Sequence, residues 1–206
     1  MPKRIRLRFR KEGDLRWIGH LDLARAFERW FRRAGLPLSF TAGCHPRPRI
    51  AFPSALPIGE TGIDEVLEVT FDGEQSLDVL HATLAHAAPA GLAVTSVEAL
   101  PESSRASVLS EVAYALPLPP ERQTETAARV AELLAQPALP ITRGDEPAAE
   151  LRHLLIDAAV EAGVLRFRLG VPRGRQLRAR DVIHALGLDD LREQGCYPAR
   201  TEVVLQ

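Results

Sequence analysis

The chain has 206 residues, 46% apolar and 26% charged, the balance of an ordinary soluble globular protein. Two cysteines are too few for an iron–sulfur cluster or a four-cysteine zinc site and make no disulfide framework. The formal charge of −1 conceals a division: residues 1–50 carry 13 Lys+Arg against 4 Asp+Glu, residues 51–150 carry 4 against 16, and residues 151–206 carry 9 against 7. A basic head followed by an acidic middle points to an anionic partner.

In chain order, Ile5, Leu7 and Phe9 alternate with Arg4, Arg6, Arg8 and Arg10, which predicts a strand with one buried face. This opening is unlike a secretory signal. No apolar run approaches the roughly 20 residues of a membrane span, so a cytoplasmic protein without membrane contact is expected. From about His20 the period turns helical. Leu23, Phe27, Trp30, Phe31 and Ala34 form one apolar stripe, ended by Gly35 and Pro37. A strand over Leu36–Thr41, a basic loop over 43–49 and a short run Ile50–Phe52 follow. Val66–Phe71 reads as a strand, Leu77–Ala88 as a helix and Leu92–Val97 as a strand.

The order then recurs. Val108–Leu116 reads as a strand and Glu121–Ala135 as a helix, before a linker marked by Pro137 and Pro140. A hairpin of Leu151–Val160 and Val164–Val171, a helix Ala179–Leu186 and a strand Thr201–Leu205 complete the second half. The expected fold is α+β: two tandem ferredoxin-like (βαββαβ) halves, with antiparallel sheets and helices on one face. The halves are expected at 1–100 and 101–206, with the junction across Ala99–Ser107.

Alternate strand residues share a face at a repeat of about 6.6 Å, so Arg4, Arg6, Arg8 and Arg10 line up over about 20 Å. Two readings stand. The row is either a salt-bridged face, with Glu65 and Glu68 as counter-charges, or a nucleic-acid face. On the first helix Arg25, Arg29, Arg32 and Arg33 form a second basic stripe, in which Asp22 is spaced to pair with Arg25 and Glu28 with Arg32. In the loop, Pro46 and Pro48 stiffen the backbone that presents His45, Arg47 and Arg49, a chemistry suited to phosphate or carboxylate. The basic run Arg173–Arg180 is similar in composition.

His20 and His45 are the candidates for proton transfer, each also readable as a structural side chain. With Cys44 they match no metal spacing. No phosphate loop or nucleophile elbow occurs, so neither metal nor cofactor is expected. Arg16, His20, His45, Arg47 and Arg49 are expected to converge near Gly13–His20, where a helix N-terminus favours an anion and Asp22 orients one basic group.

Several segments together resemble a known family. They are Arg6-Leu7-Arg8-Phe9-Arg10-Lys11-Glu12-Gly13, Leu15-Arg16-Trp17-Ile18-Gly19-His20-Leu21-Asp22-Leu23 and Arg32-Arg33-Ala34-Gly35-Leu36-Pro37-Leu38, with Pro46-Arg47-Pro48-Arg49-Ile50 and Ala55-Leu56-Pro57-Ile58-Gly59. The family is that of bacterial radical-SAM-linked proteins of unknown function. The sequence departs from it at Cys44, where an aromatic residue is more usual, and at Arg47, where histidine is. The resemblance implies an accessory to a radical SAM protein with a corrinoid-binding region, and RNA as the material handled. The resulting expectation is an RNA-binding or substrate-presenting module rather than a catalyst by itself. The alternatives are a metal-independent endoribonuclease or RNA-modifying enzyme using His20 or His45, and a purely protein-binding adaptor.

Overall fold

Apolar–basic alternation at the N-terminus builds β1 (Lys3–Lys11), whose Ile5, Leu7 and Phe9 are buried. The computed structural model describes residues 2–74, 76–101, 103–143, 146–172 and 177–206, with backbone alone at 142, 143 and 146–149. The chain is α+β and divides into two compact units, Met1–Val108 and Leu109–Gln206.

In the first unit, α1 (His20–Arg33) buries Leu23, Phe27, Trp30 and Phe31, and α2 (Leu77–His86) buries Leu80 and Leu84. These side chains join Ile5, Leu7 and Phe9 in one core, so both helices cover the same face of the sheet. Phe27 sits among aromatic rings, its centroid 4.7 Å from Phe9, 5.4 Å from Trp30 and 5.8 Å from Phe52. Burying such a ring contributes on the order of 3 kcal/mol. The other strands are β2 (Ile50–Ala51), β3 (Thr61–Phe71) and β4 (Leu92–Ala99). β1 lies between β3 and β4, and β2 pairs with β3, every pairing antiparallel.

The expected strand over Leu36–Thr41 is reduced to two isolated bridges, Leu38 to Phe71 and Phe40 to Pro48. Pro37, Pro46 and Pro48 lack the N–H a ladder needs, so pairing resumes only at Ile50. A 3-10 turn over Gly13–Trp17, not read from the sequence, follows β1. It packs tightly on the start of β4. Glu12 N donates to Gly91 O at 2.9 Å, and a Cβ on Gly91 would lie 2.7 Å from Glu12 O. Gly91 also has φ +83°, so the position is reserved for glycine twice over.

The second unit contains β5 (Leu109–Pro117), α3 (Pro120–Ala135), β6 (Pro140–Arg143), β7 (Glu146–Glu150), α4 (Leu151–Leu154), β8 (Leu155–Glu161), β9 (Val164–Gly170), α5 (Ala179–Ala185) and β10 (Ala199–Leu205). Its strands run in the order β10-β5-β9-β8, all antiparallel neighbours. Where a linker and one long strand are expected, the chain makes the β6–β7 hairpin and a helical turn. The turn forms because the Glu150 carboxylate accepts from the Leu139 and Arg152 N–H groups and so caps α4. The unit boundary falls after Val108, later than the patterning places it, because Ser104 and Ser107 bond back to β1. Among the described residues no helix is long and apolar enough to cross a membrane.

The β8–β9 hairpin turns through Ala162 at φ 48° and Gly163 at φ 77°. Two residues of positive φ are the signature of a turn that favours Asn-Gly. Alanine is disfavoured there by about 1 kcal/mol. Ala162→Asn should therefore raise the unfolding free energy by about 0.5–1 kcal/mol. Urea titration against the parent chain measures it, and an unchanged midpoint refutes the assignment.

Candidate anion-binding surface

The arginine row of β1 is matched by carboxylates of its own unit. Register explains how. Arg6 stands opposite Glu68 on β3 and Glu98 on β4, so three charges meet on one face. Arg6 reaches Glu68 at 3.4 Å and Glu98 at 3.3 Å and donates to the Ser107 hydroxyl at 2.6 Å. Arg4 pairs with Glu68 and donates to the Ser104 carbonyl at 2.9 Å. Arg8 pairs with Asp64, and Arg10 with Glu12 at 2.7 Å. Of the two expected counter-charges, Glu68 pairs with Arg4 and Arg6. Glu65 stands opposite Phe9, on the helix side of the sheet, and is buried there.

Glu68 is 3% exposed and also accepts from the Ser107 hydroxyl. Burial pushes its pKa up. Hydrogen bonds from Ser107 and Arg4, with the charges of Arg4 and Arg6, outweigh that and hold it below the ordinary 4.5. The row is thus a charge-matched face, with the 104–107 segment bonded to Arg4 and Arg6 at its start.

The expected five-residue corner does not assemble. Arg16 and His20 gather with the segment that follows β2: Gly59 N donates to Arg16 O at 2.8 Å, and the His20 ring meets Phe52 edge-on at 5.0 Å. His20 Nδ1 is buried without a hydrogen-bond partner among the described residues. Asp22 pairs with Arg25 at 3.2 Å. His45, Arg47 and Arg49 lie instead on a short ribbon closed on itself. Thr41 N donates to Arg47 O, and Arg49 N to Ser39 O, each at 2.9 Å. The ribbon springs from the Phe71 end of β3, through Ser39 N to Thr70 O and Thr70 N to Arg49 O. His20 follows β1, whose last residue, Lys11, pairs with Gly62 at the other end of β3.

Cations without buried partners remain on α1 and this ribbon. Arg25 pairs with Asp22, and Arg32 with the half-buried Glu28 at 2.7 Å, both spaced as the helical period predicts. Arg33 donates to the Ala87 carbonyl at 2.7 Å. Among the described residues the guanidinium groups of Arg29 and Arg47 have no carboxylate partner, and both residues are exposed. Cys44 is an exposed free thiol on the ribbon, and Cys196 is also free. Of the later basic run, 173–176 lie outside the described residues. Arg178 N donates to Asp181 at 2.7 Å, at the start of α5.

Sequence reading missed two features. In the second unit Arg168 is held by Glu202 at 2.6 Å, Glu111 at 3.3 Å and Asp157 at 3.9 Å. The hydrogen bond with Glu202 raises its pKa further above the arginine norm. Its signal was present, since Arg166 and Arg168 alternate with Leu165, Phe167 and Leu169 as in β1. The second is an apolar cluster, Trp17, Leu21 and Ile58, left exposed beside the start of α1. It carries no periodic signal.

Because folding lowers the Glu68 pKa, the unfolded chain binds more protons in the acid range and stability rises with pH there. The contribution is complete above about 4.5 and is lost as pH falls through the folded value. Glu68→Gln should cost about 2 kcal/mol at neutral pH, the scale of lost charged hydrogen bonds. Urea unfolding of both proteins should show the gap narrowing as pH falls below 4.5. A gap independent of pH refutes the electrostatic account.

No curated protein matches the chain. It is similar to the acetolactate synthase small subunit of Thermotoga maritima, 14% identical over 100% of this chain and 96% of that one, with a TM-score of 0.30. A protein described as unknown, from Galdieria sulphuraria, is 15% identical over 99% of both chains, with a TM-score of 0.27. Superposition at that level carries no functional meaning. Residues 4–179 match the family described as uncharacterized proteins conserved in bacteria, DUF2344, and the chain belongs to that family.

Proposed function

We propose that the chain is a binding accessory that grips RNA and presents it to a radical SAM protein with a corrinoid-binding region in the cytoplasm. In this reading each unit is a diverged ferredoxin-like half, and the second carries the β6–β7 insertion. The partner is inferred from the resemblance of the 5–70 segments. The RNA grip rests on the exposed cations of α1 and the ribbon, above all Arg29 and Arg47, which have no carboxylate partner among the described residues. Guanidinium groups in that state bind phosphate without first losing a protein partner.

Arg29→Glu combined with Arg47→Glu should weaken single-stranded RNA binding at least tenfold. The double change should also flatten the salt dependence by roughly one unit of slope per lost phosphate contact. A matched charge change in the acidic middle, at Glu121 and Glu132, should leave affinity within about twofold. Filter binding across a salt series measures both. Absence of RNA affinity at about 50 mM salt overturns the reading. Ribonuclease-resistant co-purification of the radical SAM protein with an RNA-free preparation identifies an adaptor instead.

A further inference from the structure

The exposed apolar cluster at the start of α1 has a composition that the phosphate grip does not use. Trp17 is 43% exposed, Leu21 72% and Ile58 58%. They share one stretch of surface. Trp17 ends the 3-10 turn, Gly19 caps α1, and Leu21 lies in its first turn. The 57–59 segment is tied to that turn by the Gly59–Arg16 hydrogen bond, and the Ile58 Cδ1 lies 3.9 Å from where a Cβ on Gly19 would stand. The Arg16 guanidinium is 4.8 Å from the indole centroid. Leu21 also begins a helical row, since Arg25, Arg29 and Arg32 follow at i+4, i+8 and i+11. The cluster therefore opens directly onto a line of cations, with turns about 5.4 Å apart.

We propose that Trp17 is a stacking platform for an unpaired nucleobase, flanked by Leu21 and Ile58, for a single strand whose phosphates follow Arg25, Arg29 and Arg32. This rests on the RNA-binding reading and specifies single-stranded rather than duplex substrate. Aromatic stacking tolerates any base, while a cationic row tracks the backbone. The surface pairs Asp22–Arg25 and Glu28–Arg32 are worth only tenths of a kcal/mol and exchange for phosphate. A peptide partner also uses Trp and Arg at its anchors. The charge complementarity of the adjoining row favours a nucleic acid.

Fluorescence tests the platform directly. Trp30, the other indole, is 1% exposed in the core, so ligand quenching reports Trp17. A ten-residue oligoadenylate should quench emission and bind more tightly than an RNA duplex or polyphosphate of equal charge. Trp17→Ala should weaken oligoadenylate binding by about tenfold, within the range for one stacked base, and leave polyphosphate affinity unchanged. Trp17→Phe should restore most of the loss, with far-UV circular dichroism confirming that both variants fold. Equal binding of oligoadenylate and polyphosphate, unaffected by Trp17→Ala, overturns the platform but leaves the phosphate grip standing. If none of the probes binds, both fall together. Loss of RNA-free association with the radical SAM protein in Trp17→Ala marks the cluster as a protein-docking surface and overturns the proposal.

Discussion

A nearly buried carboxylate on β3 decides what the N-terminal arginines do. Glu68 receives Arg4, Arg6 and the Ser107 hydroxyl, and at 3% exposure it is stable as an anion only because those donors surround it. Removing a partner from such a group leaves a desolvated charge, a much larger penalty than the pair itself is worth. The arrangement therefore locks. It fixes β1 against β3 through their polar faces as the aromatic core does through their apolar ones. It also draws the chain after β4 back over the sheet. That is why the first unit extends to Val108 rather than ending with β4.

The second unit meets the same problem in the opposite ratio. Its β9 alternates buried Leu165, Phe167 and Leu169 with arginines, as β1 does, but Arg168 faces three carboxylates. There one arginine meets three carboxylates, whereas on the β1 face one carboxylate, Glu68, meets two arginines. The charge asymmetry along the sequence thus does not become one basic pole and one acidic pole. Arg4, Arg6 and Arg8 of the basic head are matched by acids of β3 and β4, which sequence counts assign to the acidic middle.

Periodicity made β1, α1 and the other principal helices legible, because their apolar spacings are those of 2.0 and 3.6 residues. It failed where backbone donors decided the outcome. Pro37, Pro46 and Pro48 deny Leu36–Thr41 its ladder, and the Glu150 carboxylate turns a strand-like run into a helical turn. The first of these failures displaced the expected site. A helix after β1 carries the chain back to the sheet end where β1 began. Had the next strand been Leu36–Thr41, the basic loop would follow it and arrive beside His20. The paired strand is Ile50–Ala51, after the loop, so the loop stays at the starting end. A register error of one strand moved three candidate residues to the wrong end of the sheet.

Exposure separates the arginines into two populations with different chemistry. The guanidinium-bearing side chains of Arg4, Arg6 and Arg8 are 27%, 22% and 32% exposed and bonded to acids on adjacent strands. Those of Arg25 and Arg32 are 68% and 62% exposed and pair only along their own helix. Water screens the second set, so each of its pairs contributes only tenths of a kcal/mol and breaks readily. A phosphate offers the same planar fork a second carboxylate-like face at equal geometry and greater charge. Exchange is thus open to α1 and the ribbon and disfavoured at Arg4, Arg6 and Arg8 of β1. On the proposed reading, an anionic partner engages α1 and the ribbon because it can reach their cations without unfolding the sheet.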